Sequence, residues 1–366
     1  MSVNTKVLLC FQKPKPGGYI GGLTTLCNDY IDKSDIFINN NVDISCFNYE
    51  IPTGSVWNKI RNSKLRNLVY GYLQGKALKR LLKESPDTTI HIHTSRKALF
   101  FKDVLLARRI RKRCKGKILM TVHVGDISTV FHNETTKKYL IGLMNRSVDT
   151  VLFLSEKMKR QFTDAGLDES QAAVLYNFFN IKSIAPEEKG HRSTPQLLYI
   201  GSINREKGII ELLEAAHSID VDFHLHLCGT IIEESIRPRF EELVKQLEQK
   251  VSYHGYVGKD KKEALLTSAD ILILPSYREG LPIAILEAMA TSCGIISTPV
   301  GAIPEIISSD NAILIEPRDV GQLKNAIESL LNNNDALQRM KVNNYYASRK
   351  FTYRNHIKQL CHLYGR

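Results

Sequence analysis

The sequence predicts an α/β protein built from two doubly wound parallel sheets. Short apolar runs of strand length alternate with helical patterns almost throughout the 366 residues, and this alternation implies parallel sheets covered by helices on both faces. The alternation stops at a polar stretch and then restarts, and ~150 residues per domain makes two domains the expectation. We therefore predict two Rossmann-like domains that face an interdomain cleft.

The strands and helices follow one another in the same way in both halves of the chain. In the first half we predict strands at 7–11, 42–47, 89–93, 118–123, 150–154 and 173–176 and helices at 22–31, 56–84, 97–114, 134–146 and 155–165. In the second half we predict strands at 196–200, 222–228, 251–253, 271–274, 294–297 and 312–315 and helices at 208–218, 232–249, 260–268, 282–292 and 320–333. The predicted domains are 1–181 and 196–345, joined by a linker at 182–195, with a C-terminal helix at 346–366 that returns to the first domain.

Composition excludes several classes of protein. About 43% of the residues are apolar and 24% are charged, and no apolar run approaches the ~18 residues of a membrane-spanning helix. The seven cysteines are odd in number and have no C-x-x-C spacing, which disfavours a disulfide framework and an all-cysteine zinc site. We expect a cytoplasmic protein with reduced thiols.

The net charge of +12 is concentrated in the first half. Residues 1–190 hold 30 Lys and Arg against 17 Asp and Glu, whereas residues 191–366 hold 20 against 21. An acidic partner is therefore expected for the first half: anionic lipid, a phosphorylated acceptor or nucleic acid. The basic segment 59–83 has helical apolar spacing, which fits either a helix lying on an anionic membrane or a domain helix whose apolar stripe packs on the core.

The strongest functional signal follows the predicted strand at 271–274. Gly280 allows a ligand to approach the backbone, and Pro282 suits the first turn of the next helix, whose free N–H groups attract an anion such as a phosphate. That helix is apolar on every side apart from Glu287. A buried carboxylate needs donors, and these would be ligand hydroxyls or an internal partner.

This stretch resembles a known family. Glu279 and Glu287, within the segment Pro-Ser-Tyr-Arg-Glu-Gly-Leu-Pro-Ile-Ala-Ile-Leu-Glu-Ala-Met-Ala, match the E-x7-E signature of family-4 retaining glycosyltransferases, which have the GT-B fold. The resemblance covers about 195–335 closely and the first half more loosely. It implies that Glu279 lies beside the donor sugar as a catalytic residue, that Glu287 binds the ribose, and that the backbone at Gly280 and Leu281 contacts sugar and diphosphate.

A second loop carries cationic residues after the strand at 196–200. In the family a similar segment supplies an Arg and a Lys that hold the leaving diphosphate, and Lys207 matches the lysine. The family arginine position is Ser202 here, so we consider Arg205 as its replacement.

Two sites in the first half complete the set that the resemblance implies. Gly21 and Gly22 match the glycine loop before the first helix, and His123 matches a histidine that contacts the donor sugar. No metal is expected. The D-x-D at Asp220 and Asp222 precedes a strand instead of ending one, and the histidine pairs at 91/93 and 224/226 show no third ligand.

The function expected from the resemblance is retaining, metal-independent transfer of a hexose from a UDP- or GDP-linked sugar, with no other cofactor. The acceptor would be a glycan or a lipid-linked saccharide bound by the first domain, in bacterial surface-polysaccharide synthesis at the cytoplasmic membrane face. The alternatives are a sugar-nucleotide epimerase on the same fold and a basic nucleic-acid-binding protein; no known nucleic-acid module is apparent, so we expect no nucleic-acid partner.

Overall fold

The computed structural model describes residues 5–11, 22–48, 63–95, 97–131, 133–190 and 192–365. The chain forms two compact units, Met1–Asn177 with Arg354–Arg366, and Phe178–Tyr353. Each unit is built on a six-stranded sheet, so the predicted pair of parallel α/β domains is confirmed.

The first unit consists of a parallel sheet with helices between its strands. Its strands are β1 (Thr5–Phe11), β2 (Val42–Asn48), β3 (Thr89–Thr94), β4 (Ile118–Val122), β5 (Thr150–Phe153) and β6 (Ala172–Val174). Its helices are α1 (Gly22–Asp32), α2 (Ser34–Asn39), α3 (Ser63–Glu84), α4 (Lys97–Arg111), α5 (Glu134–Ser147) and α6 (Glu156–Asp164). The strand order is β2-β1-β3-β4-β5-β6 and every pair is parallel.

The second unit repeats the architecture with a different strand order. Its strands are β7 (Gln196–Ile200), β8 (His224–Cys228), β9 (Val251–Tyr253), β10 (Ile271–Leu274), β11 (Gly294–Ser297) and β12 (Ile313–Leu314). Its helices are α7 (Ile209–His217), α8 (Arg237–Gln246), α9 (Lys259–Ser268), α10 (Ile283–Ala290), α11 (Ile303–Ile306), α12 (Val320–Leu331) and α13 (Asn334–Ser348). The order β12-β11-β10-β7-β8-β9 is the Rossmann order, with β7 as first strand and β10 as fourth.

The segment 182–195, expected to be a linker, packs within the second unit. The N–H of Ile184 donates to the carbonyl of Ala290 at 2.9 Å, and Ser292 Oγ donates to the carbonyl of Ile184 at 2.6 Å. The ammonium of Lys189 binds the carbonyl of Ala269. These contacts give the polar stretch buried partners, which its composition alone does not indicate.

The last helix, α14 (Tyr353–Gly365), packs on the first unit. Its His356 donates from Nδ1 to the carbonyl of Tyr176 at 2.7 Å, and the neutral ring then accepts at Nε2 from the Tyr30 hydroxyl at 2.7 Å. Its Tyr364 hydroxyl lies 2.6 Å from His91 Nδ1. The observed helix begins at Tyr353, after α13 has ended at Ser348, whereas a single helix was predicted at 346–366.

Four histidines of the first unit lie in this packed region. Burial lowers the pKa of His91 and of His123 to about 3 and that of His356 to about 4, and it lowers the pKa of His93 well below its usual range. Neighbouring histidines add a smaller effect in the same direction for His91, His93 and His123. All four imidazoles are therefore neutral at pH 7.

Two further observations concern membranes and metals. Among the described residues, no helix combines the length and the apolar character needed to cross a membrane. Within the same part of the chain, no three His, Cys, Asp or Glu side chains are grouped so that they could hold a metal ion.

We expect the protein to lose stability as the pH falls from 7 to 5. The histidines have folded pKa values below the unfolded value of about 6.5, so the unfolded chain binds more protons in this range and acid favours it. Each such histidine contributes a slope of up to about 1.4 kcal/mol per pH unit. Urea unfolding followed by circular dichroism at pH 7, 6 and 5 measures how the free energy of unfolding depends on pH.

His356→Gln is the matched variant for this experiment, because an amide keeps hydrogen-bonding capacity but does not titrate. Its free energy of unfolding should depend less steeply on pH than that of the unchanged protein. Equal slopes for the two proteins would contradict the assignment of a neutral buried imidazole to His356.

Candidate active site

The two site loops predicted from the sequence follow β7 and β10, which are neighbours in the second sheet. The chain continues from β7 to β8 and β9 on one side and from β10 to β11 and β12 on the other. Loops leaving two such strands diverge, and the crevice at this switch point is where open α/β sheets bind ligands. The strand order thus brings the loops 201–208 and 275–282 to one place.

Direct bonds hold these two loops together. The N–H of Tyr277 donates to the carbonyl of Glu206 at 2.7 Å, and Arg278 forms an exposed ion pair with Glu206 at 3.6 Å. Lys207 Nζ donates to Glu279 Oε1 at 2.5 Å. A shift of one loop would therefore displace the other.

Gly208 makes the close approach of the loops possible. It has φ of 68°, in the left-handed region, and a Cβ there would lie 2.1 Å from the carbonyl oxygen of Pro275. A side chain at this position would strain the backbone and collide with the end of β10.

Gly301 and its neighbour pack against the backbone of the loop 275–282. The φ of Gly301 is 60°, and a Cβ would lie 2.3 Å from the carbonyl oxygen of Glu279. The next residue, Ala302, donates its N–H to the carbonyl of Gly280 at 2.8 Å. The backbone at Glu279 and Gly280 is thus held by contacts that leave the Glu279 side chain turned towards Lys207.

The Lys207–Glu279 pair is largely shielded from water. The Glu279 side chain is 8% exposed and that of Lys207 is 22% exposed. Asn204 accepts from the N–H of Lys207 at 3.1 Å and so caps the short 3₁₀ turn Arg205–Lys207. The capped turn orients the lysine at the switch point.

Glu287 lies on α10, and it has a cationic partner that the sequence did not reveal. Its side chain is 5% exposed, and Lys262 Nζ from α9 donates to Glu287 Oε1 at 2.5 Å. The expected donor for the buried carboxylate is therefore at least in part internal. The signal available in the sequence was the run of lysines that begins α9.

The start of α10 faces the same end of the sheet. The helix begins at Ile283 with Pro282 at the N-cap, one residue later than predicted, and no side chain caps it. Leu281 is buried and Gly280 is partly exposed. Free N–H groups in a first turn carry partial positive charge and suit an anion.

Arg205 and Ser202 lie apart from this pair. The Arg205 side chain is 68% exposed, with Nε 3.8 Å from a carboxylate oxygen of Glu233. Ser202 is buried and accepts from Asn204 Nδ2 at 2.9 Å. In this conformation Arg205 does not join Lys207, so its role as a replacement for the family arginine stays a prediction.

A second cluster behind the loop was not predicted. The Tyr277 hydroxyl donates to Glu211 on α7, and Arg318 lies over the Tyr277 ring at 4.6 Å. Burial, followed by the bond to Glu211, raises the pKa of Tyr277. Arg318 has a left-handed φ of 71°. The spacing of these residues in the sequence does not predict their contact.

The site residues predicted in the first unit are placed as follows. His123 directly follows β4 and is half-buried, with Nε2 3.0 Å from His93 Nδ1. Gly22 begins α1, and Gly21 lies outside the described residues. Asp220 and Asp222 are exposed and precede β8, at the end of the sheet opposite to the loops.

Part of the chain matches a known protein family. Residues 182–346 match the family model for glycosyl transferases group 1. An uncharacterised glycosyltransferase of Methanocaldococcus jannaschii is 24% identical, with 94% of this chain and 95% of that protein covered. TuaC of Bacillus subtilis, named as a glycosyltransferase of teichuronic acid biosynthesis, is 26% identical over 57% of this chain and 54% of its own.

A solved structure agrees in fold over the whole chain. HepE of Anabaena, crystallised with UDP and glucose, has a TM-score of 0.70 at 16% identity, with 99% of both chains covered. The fold is thus the GT-B fold. Residues 182–346 are thus similar to the glycosyl transferases group 1 family, as the motif around Glu279 and Glu287 indicated, and nearly the whole chain is similar to a protein named as a glycosyltransferase.

Breaking the buried pair at Glu287 should destabilise the second unit. We expect Lys262→Met to lower the free energy of unfolding by about 3 kcal/mol, the lower end of the range for an orphaned buried charge, because the lysine is 19% exposed. Lys262→Met/Glu287→Leu should regain most of that loss, since no charge is then left buried without its partner. Urea unfolding of the single and double variants measures both.

Lys324→Met is the control, because Lys324 pairs with Glu328 at the surface at 3.7 Å. Loss of such a surface pair costs roughly 0–1 kcal/mol. If Lys262→Met lowered the free energy of unfolding no more than Lys324→Met did, the Lys262–Glu287 pair would not contribute to stability.

Proposed function

We propose that this protein is a glycosyltransferase that moves a sugar from a nucleoside diphosphate sugar, with retention at the anomeric carbon and without a divalent metal. The acceptor is a glycan or a lipid-linked saccharide. The observation that carries the proposal is the meeting of Lys207, Glu279 and the start of α10 at the switch point of the second sheet.

The hard step is departure of the diphosphate as the anomeric carbon becomes positive. Lys207 and the positive end of the α10 helix dipole would stabilise the negative charge that develops on the leaving oxygen. Lys207 is held in place before the reaction by its bonds to Asn204 and Glu279. Such preorganised charge performs the role that a bound cation has in metal-dependent transferases.

Glu287 and Lys262 support the nucleotide part of the donor. The carboxylate would accept from the ribose hydroxyls, and the contact with Lys262 orients it. HepE was solved with UDP, which makes uridine the first base to test.

Retention requires that the new bond form on the face that the diphosphate leaves. The C1–O bond to the diphosphate breaks, the acceptor oxygen bonds to C1, and the acceptor proton passes to the departing phosphate oxygen. Glu279 could instead attack C1 from the opposite face, but its ion pair with Lys207 at 2.5 Å makes the carboxylate a poorer nucleophile. The pair therefore favours the same-face route.

The relatives and the distribution of charge support the proposed acceptor and setting. TuaC is named for teichuronic acid biosynthesis, which supports surface-polysaccharide synthesis at the cytoplasmic face of a membrane. The first unit, with its excess of basic residues, would bind the acceptor. For His123 the contact with the donor sugar that the resemblance implies stays a prediction.

One diphosphate among UDP, GDP, ADP and CDP should raise the melting temperature in the presence of EDTA. At about 100 times its dissociation constant a ligand adds ~2.7 kcal/mol of stability. Glu287→Gln should reduce this shift, because the amide is a weaker acceptor for ribose hydroxyls than the carboxylate. Differential scanning fluorimetry measures the shift.

Glu328→Gln is the matched control, since Glu328 lies on α12 with only a surface ion pair. Its nucleotide shift should equal that of the unchanged protein. A shift that appeared only after magnesium was added would overturn the metal-independent site, and no shift at saturation would overturn the donor site itself.

Lys207→Met should lower kcat by about 10²–10³, the typical effect of removing one preorganised donor to a developing charge. The measurement is sugar transfer in EDTA, with the anomeric configuration of the product read from its proton coupling constants. Lys324→Met should retain full activity.

The product distinguishes the proposal from its alternatives. An inverted anomeric centre would contradict retention. A sugar nucleotide converted to its epimer without any acceptor would identify an epimerase.

A further inference from the structure

Three helices of the first unit form one layer over its sheet. α3 packs against α4, and α4 packs against α5. Their inner faces belong to the same buried cluster as the strands, with Leu78 and Leu82 from α3, Phe100 and Val104 from α4, and Leu140 and Met144 from α5. Leu78 and Leu82 of α3 are therefore buried inside the protein and are not available to a lipid bilayer.

This layer holds nearly all of the excess charge of the chain. The three helices contain 14 Lys and Arg and three Asp and Glu, a net charge of +11 against +12 for the whole protein. Two of the three acids are paired within the layer, Asp103 with Lys102 and Glu134 with Lys137. Exposed basic side chains on it include Lys76, Arg80, Lys83, Arg108, Arg109 and Lys138.

Two arginine–tyrosine contacts join the outer faces of the helices. The Arg109 guanidinium lies 4.1 Å from the centre of the Tyr72 ring, and Arg108 Nη1 donates to the Tyr139 hydroxyl at 3.2 Å. The rings belong to Tyr72 on α3, 50% exposed, and to Tyr139 on α5, 49% exposed. Gly75 leaves room for Arg109 to cross α3, since a Cβ there would lie 2.6 Å from Arg109 Cδ.

We propose that the outer face of the α3–α4–α5 layer docks on an anionic phospholipid bilayer. Basic residues near such a surface are attracted by its negative potential, and the contributions add. Tyrosine rings are amphipathic and favour the headgroup level of a membrane. The layer presents both on one face, without inserting a helix.

The same residues fit a nucleic acid less well. Proteins that bind single strands line a basic groove with aromatic rings on which successive bases stack. Here the two rings stand on helices either side of α4 and each is engaged by an arginine. A bilayer needs no groove and tolerates rings that are already paired.

The inference deepens the proposed function, because a lipid-linked acceptor lies in a membrane, but its test measures lipid binding and not sugar transfer. Vesicles of phosphatidylcholine alone and of phosphatidylcholine mixed with phosphatidylglycerol are floated with the full-length protein. We expect binding to the mixed vesicles only, and its loss near 1 M salt, where the Debye length is about 3 Å.

Arg108→Glu/Arg109→Glu should lower the partition coefficient by about 10-fold or more, since each basic residue is worth about 1 kcal/mol at the surface. Tyr72→Ala/Tyr139→Ala should weaken binding at constant charge. The controls are Arg237→Glu/Arg239→Glu, an equal charge change on the exposed surface of the second unit, and Tyr346→Ala, an exposed tyrosine elsewhere.

Each outcome decides the question. Equal binding to neutral vesicles, or equal loss in the Arg237/Arg239 control, would overturn the docking face. A fluorescent oligonucleotide that bound more tightly than the vesicles, and lost binding in Arg108→Glu/Arg109→Glu, would assign the face to nucleic acid. An unchanged UDP shift and melting curve in these variants would show that the fold and the donor site are intact.

Discussion

The close contact between the loops after β7 and β10 is the constraint on which the candidate site depends. Gly208 lies against the carbonyl oxygen of Pro275, and the N–H of Tyr277 bonds to the carbonyl of Glu206. These contacts involve backbone atoms, so they place Lys207 beside Glu279 independently of the surrounding side chains. Because both loops leave the sheet at its switch point, the charged groups lie at the position where such folds bind ligands.

Charge compensation explains how the second unit tolerates two shielded carboxylates. Each has a lysine at 2.5 Å, Lys207 for Glu279 and Lys262 for Glu287. A buried charge without a partner is costly, so the lysines stabilise the fold and also orient both carboxylates. A group that is held in place for structural reasons loses little freedom when a substrate binds, which is the condition for efficient electrostatic catalysis.

Features encoded by local periodicity could be predicted, and features that depend on packing could not. The alternation of strands and helices predicted the twelve observed strands within a few residues. The apolar surroundings of Glu287 indicated that it needs a donor, but Lys262 is 25 positions away on another helix. The polar composition of 182–195 suggested a linker, yet Lys189 and Ile184 bond to the second unit. The order of the strands, which makes the two loops neighbours, likewise depends on how the sheet assembles and could not be predicted from local periodicity.

The two units divide the electrostatic roles of the protein. In the second unit, the charged groups of the candidate site are arranged in close pairs, which position each group strongly. In the first unit, the charge is spread over the outer face of three helices whose apolar faces are already buried. Close ion pairs give a short-ranged field, whereas an excess of positive charge on one face gives a longer-ranged field that acts on an extended anionic surface. An amphipathic pattern in sequence does not distinguish these uses, because the core and a membrane both accept an apolar stripe. The position of Leu78 and Leu82 in the core does distinguish them, and it leaves the basic face, with its two tyrosines, as the part of α3 and its neighbours that is available to a partner.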